Sequence, residues 1–148
     1  MTGITDEGIE IDREFIAPPS AVFAAWTTPE SFAQWFGGRD VVVPIDSLHL
    51  HAEPGRAWSA TMVLPDGNTI EWAGEFVEVD PPSRLVMTIT DRPVESARAA
   101  LTVDLVAHGD ETRLRMTQQT PGFTGEQRRG TIAGWQTFLD VLAEIAEA

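Results

Sequence analysis

The stretch REFIAPPSAVFAAWTTPESFAQWFGG, residues 13–38, decides how the rest of the chain is read. Its first residues close an alternating run in which Ile9, Ile11, Arg13 and Phe15 take one side and Glu10, Asp12, Glu14 and Ile16 the other. A period of two with β-branched and aromatic members predicts a strand over 9–16. Pro18 and Pro19 stop it, and a helix starts well at proline because the first turn has no intrahelical partner for its N–H groups. Val22, Phe23 and Trp26 fall on one face of this short helix, which ends near Thr27. Thr27 or Thr28 then caps a second helix, with Pro29 in its first turn and Glu30 three residues after Thr27 as in a capping box. Phe32, Trp35 and Phe36 form its apolar stripe, and Gly37 and Gly38 end it.

Beyond Gly38 the signal changes. From about residue 41 to 119, turn chemistry recurs at Pro54-Gly55, Pro65-Asp66-Gly67-Asn68, Asp80-Pro81-Pro82-Ser83, Asp91-Arg92-Pro93 and His108-Gly109-Asp110. Between these lie runs with alternate apolar members: Trp58, Ala60, Met62, Leu64; Ile70, Trp72, Gly74, Phe76; Leu85, Met87, Ile89; Leu101, Val103, Leu105; Leu114, Met116. Such short connections favour antiparallel neighbours, hence a meander. The opposite parity is polar, so one face of the sheet meets a core and the other water.

The last segment, from about Thr124 to Glu147, supplies the cover. Ile132, Trp135, Phe138, Leu139, Leu142 and Ile145 recur at three- and four-residue spacing, the mark of one long amphipathic helix. Asp140, Glu144 and Glu147 mark its wet side. These acids near the C-terminal end, and Arg128 and Arg129 near the start, run against the macrodipole, so burial must outweigh local electrostatics. The order is strand, two short helices, about six antiparallel strands and one long helix in a single domain, 1–148.

That order, with its particular words, resembles the START-like or helix-grip superfamily, also called SRPBCC, and within it the bacterial homologues of the activator of the heat-shock-90 chaperone ATPase. The resemblance rests on residues 13–38, on PDG at 65–67, on GEFVEVDPPSRL at 74–85, and on Gly134-Trp135 followed by Phe138, Leu139 and Leu142. It implies an α+β fold in which a curved antiparallel sheet of six to seven strands wraps round the C-terminal helix and leaves an apolar cavity between them. There is one departure. Where the family tends to show an acidic residue and then Asp-x-Arg-Pro-Gly-Gly, this chain has His49 and then His51-Ala52-Glu53-Pro54-Gly55-Arg56. The fold does not by itself imply a reaction.

Composition narrows the classes. At 148 residues the chain is long enough for one sizeable core, and with no Cys it has neither disulfides nor thiolate chemistry. A net charge of −13 opposes nucleic acid and anionic membrane surfaces as partners. All basic residues are Arg, which reads as coding bias. No apolar run approaches a membrane span and the first residues carry no targeting signal, so a cytoplasmic protein is expected, a monomer or homodimer.

The cavity also has support in the residues. Gly130 and Gly134 lie one helical turn apart inside the last helix, where each Gly costs about 1 kcal/mol relative to Ala. Either a strand backbone passes close by, or space is kept for a ligand. Inward aromatic and methionine side chains supply polarizable lining. The expected lining is Trp35, Trp58, Met62, Trp72, Met87, Met116, Trp135 and Phe138, with Gln118 as a polar group that orients a ligand.

HLHAE, 49–53, reads as a strand carrying His49, His51 and Glu53 on one face, a pattern that can hold zinc or iron. Leu48 and Leu50 have the opposite parity, so a core position for the leucines sends all three candidates to solvent, and no metal or other cofactor is assigned. No nucleophile–base pair, phosphate loop or serine elbow is present. Glu71, Glu75 and Glu78 read as a solvated face and Arg84 as structural. The leading expectation is therefore binding of a hydrophobic or amphipathic small molecule in a closed cavity without chemistry. A chaperone-directed interaction module and a cyclase- or hydrolase-type enzyme using the same pocket are the alternatives.

Overall fold

A computed structural model describes residues 2–148. The strand expected over 9–16 is β2 (Gly8–Phe15), and a two-residue strand, β1 (Gly3–Ile4), pairs with it from the sheet edge. Helices α1 (Pro19–Thr27) and α2 (Pro29–Trp35) follow. A 3-10 turn (Ile45–Ser47) leads to β3 (Ala57–Val63), β4 (Thr69–Asp80), β5 (Arg84–Ile89), β6 (Ala99–His108) and β7 (Glu111–Gln119), and α3 (Gly125–Ala146) ends the chain. Every strand pairing is antiparallel, and the sheet order β1-β2-β7-β6-β5-β4-β3 is the meander with its ends brought together by β2 against β7. This is the α+β helix-grip architecture.

Charge on the outer face follows the register. Asp12 of β2, Arg115 of β7, Asp104 of β6 and Arg84 of β5 are successive cross-strand partners, so sign alternates across four strands. Arg84 Nη1 donates to Asp104 at 2.7 Å and its Nε reaches Glu78 at 3.1 Å, and the bond to Asp104 first of all holds the guanidinium above its ordinary pKa. A slip by one residue would exchange this ladder with the apolar face, so pairing and burial specify the same register. The structural reading of Arg84 stands.

The first helices differ from expectation in one detail. No capping box joins Thr27 and Glu30: Thr28 is the N-cap of α2 without a side-chain bond, and Thr27 Oγ1 donates to Phe23 O at 2.9 Å. The reason is crowding, since one residue separates the helices and Thr27 still belongs to the last turn of α1. The capping box lies instead on α3, where Thr124 Oγ1 accepts from Gln127 N and Gln127 Oε1 accepts from Thr124 N.

On α3, Trp135, Leu139 and Leu142 are buried. The charges that oppose its dipole have partners on other elements. Asp140 pairs with Arg13 at 2.7 Å, Glu144 with Arg39, Glu147 accepts from Ile16 N at 2.9 Å, and Arg128 donates to Thr5 O and Thr120 O. Cross-element bonds therefore add to burial in offsetting the dipole. The main packing partners of α3 are β1, β2, α1 and α2, at one side of the sheet. Over the other side, toward β4, β5 and β6, a gap is left.

Candidate functional site

The gap is a cleft of about 760 Å³. Its walls come from Trp72 of β4, Ile89 at the end of β5, Gln118 and Gln119 of β7, Phe36 after α2, and Gln127, Thr131, Gly134, Trp135 and Phe138 of α3; the 90–98 connection and the 121–123 turn complete it. Residues 91–98 are all exposed, so the cleft opens to solvent there and is not the closed cavity expected.

Each wall follows from local chemistry. The inward parity of β4 and β7 delivers Trp72 and Gln118. Gly37 and Gly38, at φ +98 and +88, let the chain turn off α2 and place Phe36 beneath α3, and a side chain at Gly38 would meet Thr137 at 3.1 Å. Four rings then form a continuous aromatic wall: Phe36–Trp72 centroids are 5.6 Å apart, Phe36–Phe138 5.7 Å and Trp135–Phe138 5.3 Å, all edge-on. Behind it Trp26 stacks on Trp135 at 5.9 Å and meets Trp35 at 4.7 Å, so the wall is backed by solid core.

The glycines of α3 separate the two readings of their origin. A Cβ built on Gly134 meets nothing within 4 Å, so no strand backbone passes close by; the residue borders the cleft and adds to its volume. Gly130 also faces open space, but it is exposed and not on the cleft. The close-approach glycine is Gly74, whose Cβ would fall 1.8 Å from Thr88 O and 2.5 Å from Trp58 Nε1. Its missing side chain lets the Trp58 indole cross β4 and donate to Thr88 O at 2.9 Å.

The expected lining divides. Trp72, Gln118, Trp135 and Phe138 border the cleft. Trp35, Trp58, Met62, Met87 and Met116 do not: with relative exposures of 0, 1, 3, 1 and 0% they are packed inside the core that backs it. The four strand residues among them do face inward, and Trp35 is the buried end of α2, but the cleft covers only part of the inward face. The lining residues outside that expectation include Phe36, Ile89, Gln119, Gln127, Thr131, the 90–98 connection and the 121–123 turn. Gln127 had a readable signal, the T-x-x-Q of the α3 cap.

The polar groups are few. Trp135 Nε1 donates to Gln118 Oε1 at 2.7 Å, so the amide oxygen is engaged by the helix and Nε2 is the end of the amide left to donate. At the mouth, Arg98 donates to the carbonyls of Pro93, Glu95 and Ala97, folding the 91–98 segment on itself, and Arg92 lies 3.9 Å from Glu95.

HLHAE is not a strand. His49 makes a single bridge with Ser59, and Glu53 N returns to His51 O in a turn at 2.8 Å. The Pro54-Gly55 turn, with Gly55 at φ +86, leaves no length for a strand. Leu48 and Leu50 are buried while His49, His51 and Glu53 are exposed, and Glu53 faces Arg56 at 3.8 Å. Among the described residues no three His, Cys, Asp or Glu side chains are grouped to hold a metal ion.

A family model described as "Activator of Hsp90 ATPase homolog 1-like protein" matches residues 16–147. The chain belongs to this family. Solved structures agree in fold: a protein from Chromobacterium violaceum is 23% identical, with a TM-score of 0.82 over 95% of this chain and 97% of that one. A protein from Staphylococcus epidermidis is 21% identical, with a TM-score of 0.82 over 99% and 93%. An AHSA1 protein from Silicibacter pomeroyi is 25% identical, with a TM-score of 0.79 over 91% and 94%. No curated protein matches the chain. No helix among the described residues is long and apolar enough to cross a membrane.

Proposed function

We propose that this family member binds an apolar or amphipathic small molecule in the cleft between the sheet and α3, with Phe36, Trp72, Trp135 and Phe138 as the walls and Gln118 as the orienting group. The observation that carries this reading is Gly134. A helix gives up about 1 kcal/mol by placing Gly there, no neighbouring backbone requires it, and the space it opens belongs to the cleft. A volume of about 760 Å³ falls in the range of small-molecule sites, and an aromatic wall with a few polar groups is their usual composition. Covalent chemistry is not part of the reading, since no nucleophile lies beside a base on the lining. Native mass spectrometry of protein purified under mild conditions, with displacement of a bound dye by candidate ligands, tests it. One equivalent of retained or displaceable ligand supports the proposal, and an apolar dye that never saturates refutes it.

A second reading follows from the family description, a module that acts on a chaperone ATPase. Chaperone ATPase rate measured with and without the protein tests it; an unchanged rate removes it. The ligand reading has the stronger support because it accounts for Gly134 and the chaperone reading does not.

A further inference from the structure

The side-chain amide nitrogens of the three glutamines on the cleft are its unspent donors. The side-chain oxygens of its three glutamines are all committed to groups that can only donate: Gln118 Oε1 to Trp135 Nε1 at 2.7 Å, Gln119 Oε1 to Ala100 N at 3.2 Å, and Gln127 Oε1 to Thr124 N at 2.8 Å. An indole N–H and two backbone N–H groups cannot accept, so each amide is fixed in this orientation and cannot be flipped. What each glutamine has left to donate is its Nε2 pair. The Thr131 hydroxyl proton goes to Gln127 O at 2.9 Å, which leaves its oxygen an acceptor, and Thr90 Oγ1 accepts from Arg92 N at 3.0 Å, which leaves its proton to donate. The carboxylates on the lining, Asp91 and Glu95, belong to the exposed 91–98 segment at the mouth.

Resting on the ligand reading above, we infer that the cleft selects an uncharged, flat ring compound whose polar atom is a hydrogen-bond acceptor, a ring ketone or related carbonyl compound, held by Gln118 Nε2. Aromatic side chains pair well with other rings, so the wall of Phe36, Trp72, Trp135 and Phe138 favours an apolar ring frame. An acceptor opposite Gln118 Nε2 gains a bond that a bare hydrocarbon cannot make. Asp91 and Glu95 at the entrance are balanced by Arg92 and Arg98, so a charged ligand of either sign would be desolvated against the aromatic wall without an opposite charge of its own, and an anion also meets a net charge of −13.

Three probes on one frame test this with the full-length protein: fluorene, 9-fluorenone and fluorene-9-carboxylate, followed by equilibrium dialysis. Gln118→Glu keeps an oxygen for Trp135 and replaces the Nε2 donor by a second acceptor. It is expected to weaken 9-fluorenone roughly tenfold more than it weakens fluorene, the order of one hydrogen bond. In the unaltered protein, the Gln118 side-chain amide resonance is expected to shift on adding 9-fluorenone and not fluorene, a readout that needs no variant. The inference is overturned, with the ligand reading intact, if the carboxylate binds tightest, if Gln118→Glu weakens both neutral probes alike, or if the Gln118 resonance responds equally to both. If none of the probes binds and no apolar dye saturates, both fall together.

Discussion

Trp135 of α3 and Gln118 of β7 are joined by a 2.7 Å bond from indole Nε1 to amide Oε1, which ties the helix to the sheet at the floor of the cleft. Burial of Trp135 leaves its N–H no access to water, so Gln118 is both a structural acceptor and the polar end of the lining. Gln118→Leu is expected to cost about 1–3 kcal/mol, the penalty of an unsatisfied buried donor. Urea unfolding checks it, and Trp135→Phe in the same background should recover part of the loss.

Gly74 allows Trp58 to reach across β4 to Thr88. Gly74→Ala places a methyl group inside backbone of β5, so a loss of about 3 kcal/mol is expected, at the upper end of overpacking. By contrast Gly134→Ala adds a methyl group to open space and should stabilise by about 0.5–1 kcal/mol. Opposite signs at two glycines in one thermal-unfolding series would verify both assignments.

Most of the architecture is legible in the sequence because local signals agree with one another: Pro18-Pro19 and Gly37-Gly38 bracket the two helices, and alternation defines the strands. The cleft was only half legible. Trp58, Met62 and Trp72 share the inward parity of adjacent strands, yet Trp72 borders the cleft and the other two lie in core, because α3 rests over β1 and β2. A helical period of 3.6 identifies which face is apolar but not where on a sheet the helix sits. The strand read at 49–53 failed for another reason: alternation over so few residues does not outweigh the Pro54-Gly55 turn that follows. Leu48 and Leu50 still took the buried side.

Arg13 joins β2 to α3 through Asp140 at 2.7 Å and through Gln136 Oε1 at 3.2 Å. Asp140 is 61% exposed, so the ion pair itself is screened. Arg13→Met, which keeps the apolar stem, is expected to cost no more than about 1 kcal/mol, and less at high salt. Denaturation at low and high ionic strength separates the charge from the packing.

His49 and His51 are exposed in a turn. His49→Ala and His51→Ala are expected to change stability by less than about 0.5 kcal/mol. Zinc added at one equivalent should leave the melting temperature of the unaltered protein where it was, as calorimetry would show. A zinc-dependent rise that disappears in His51→Ala would contradict this placement.

The claim that matters most is that the space beside Gly134 exists to be occupied. Nile red, an uncharged fluorophore, titrated into the unaltered protein and into Gly134→Leu measures this directly, with circular dichroism showing both folded. Saturable one-to-one binding by the first, weakened at least roughly tenfold in the second as the leucine fills the cleft, is the predicted result. Equal binding by the two proteins, or none by either, would contradict it.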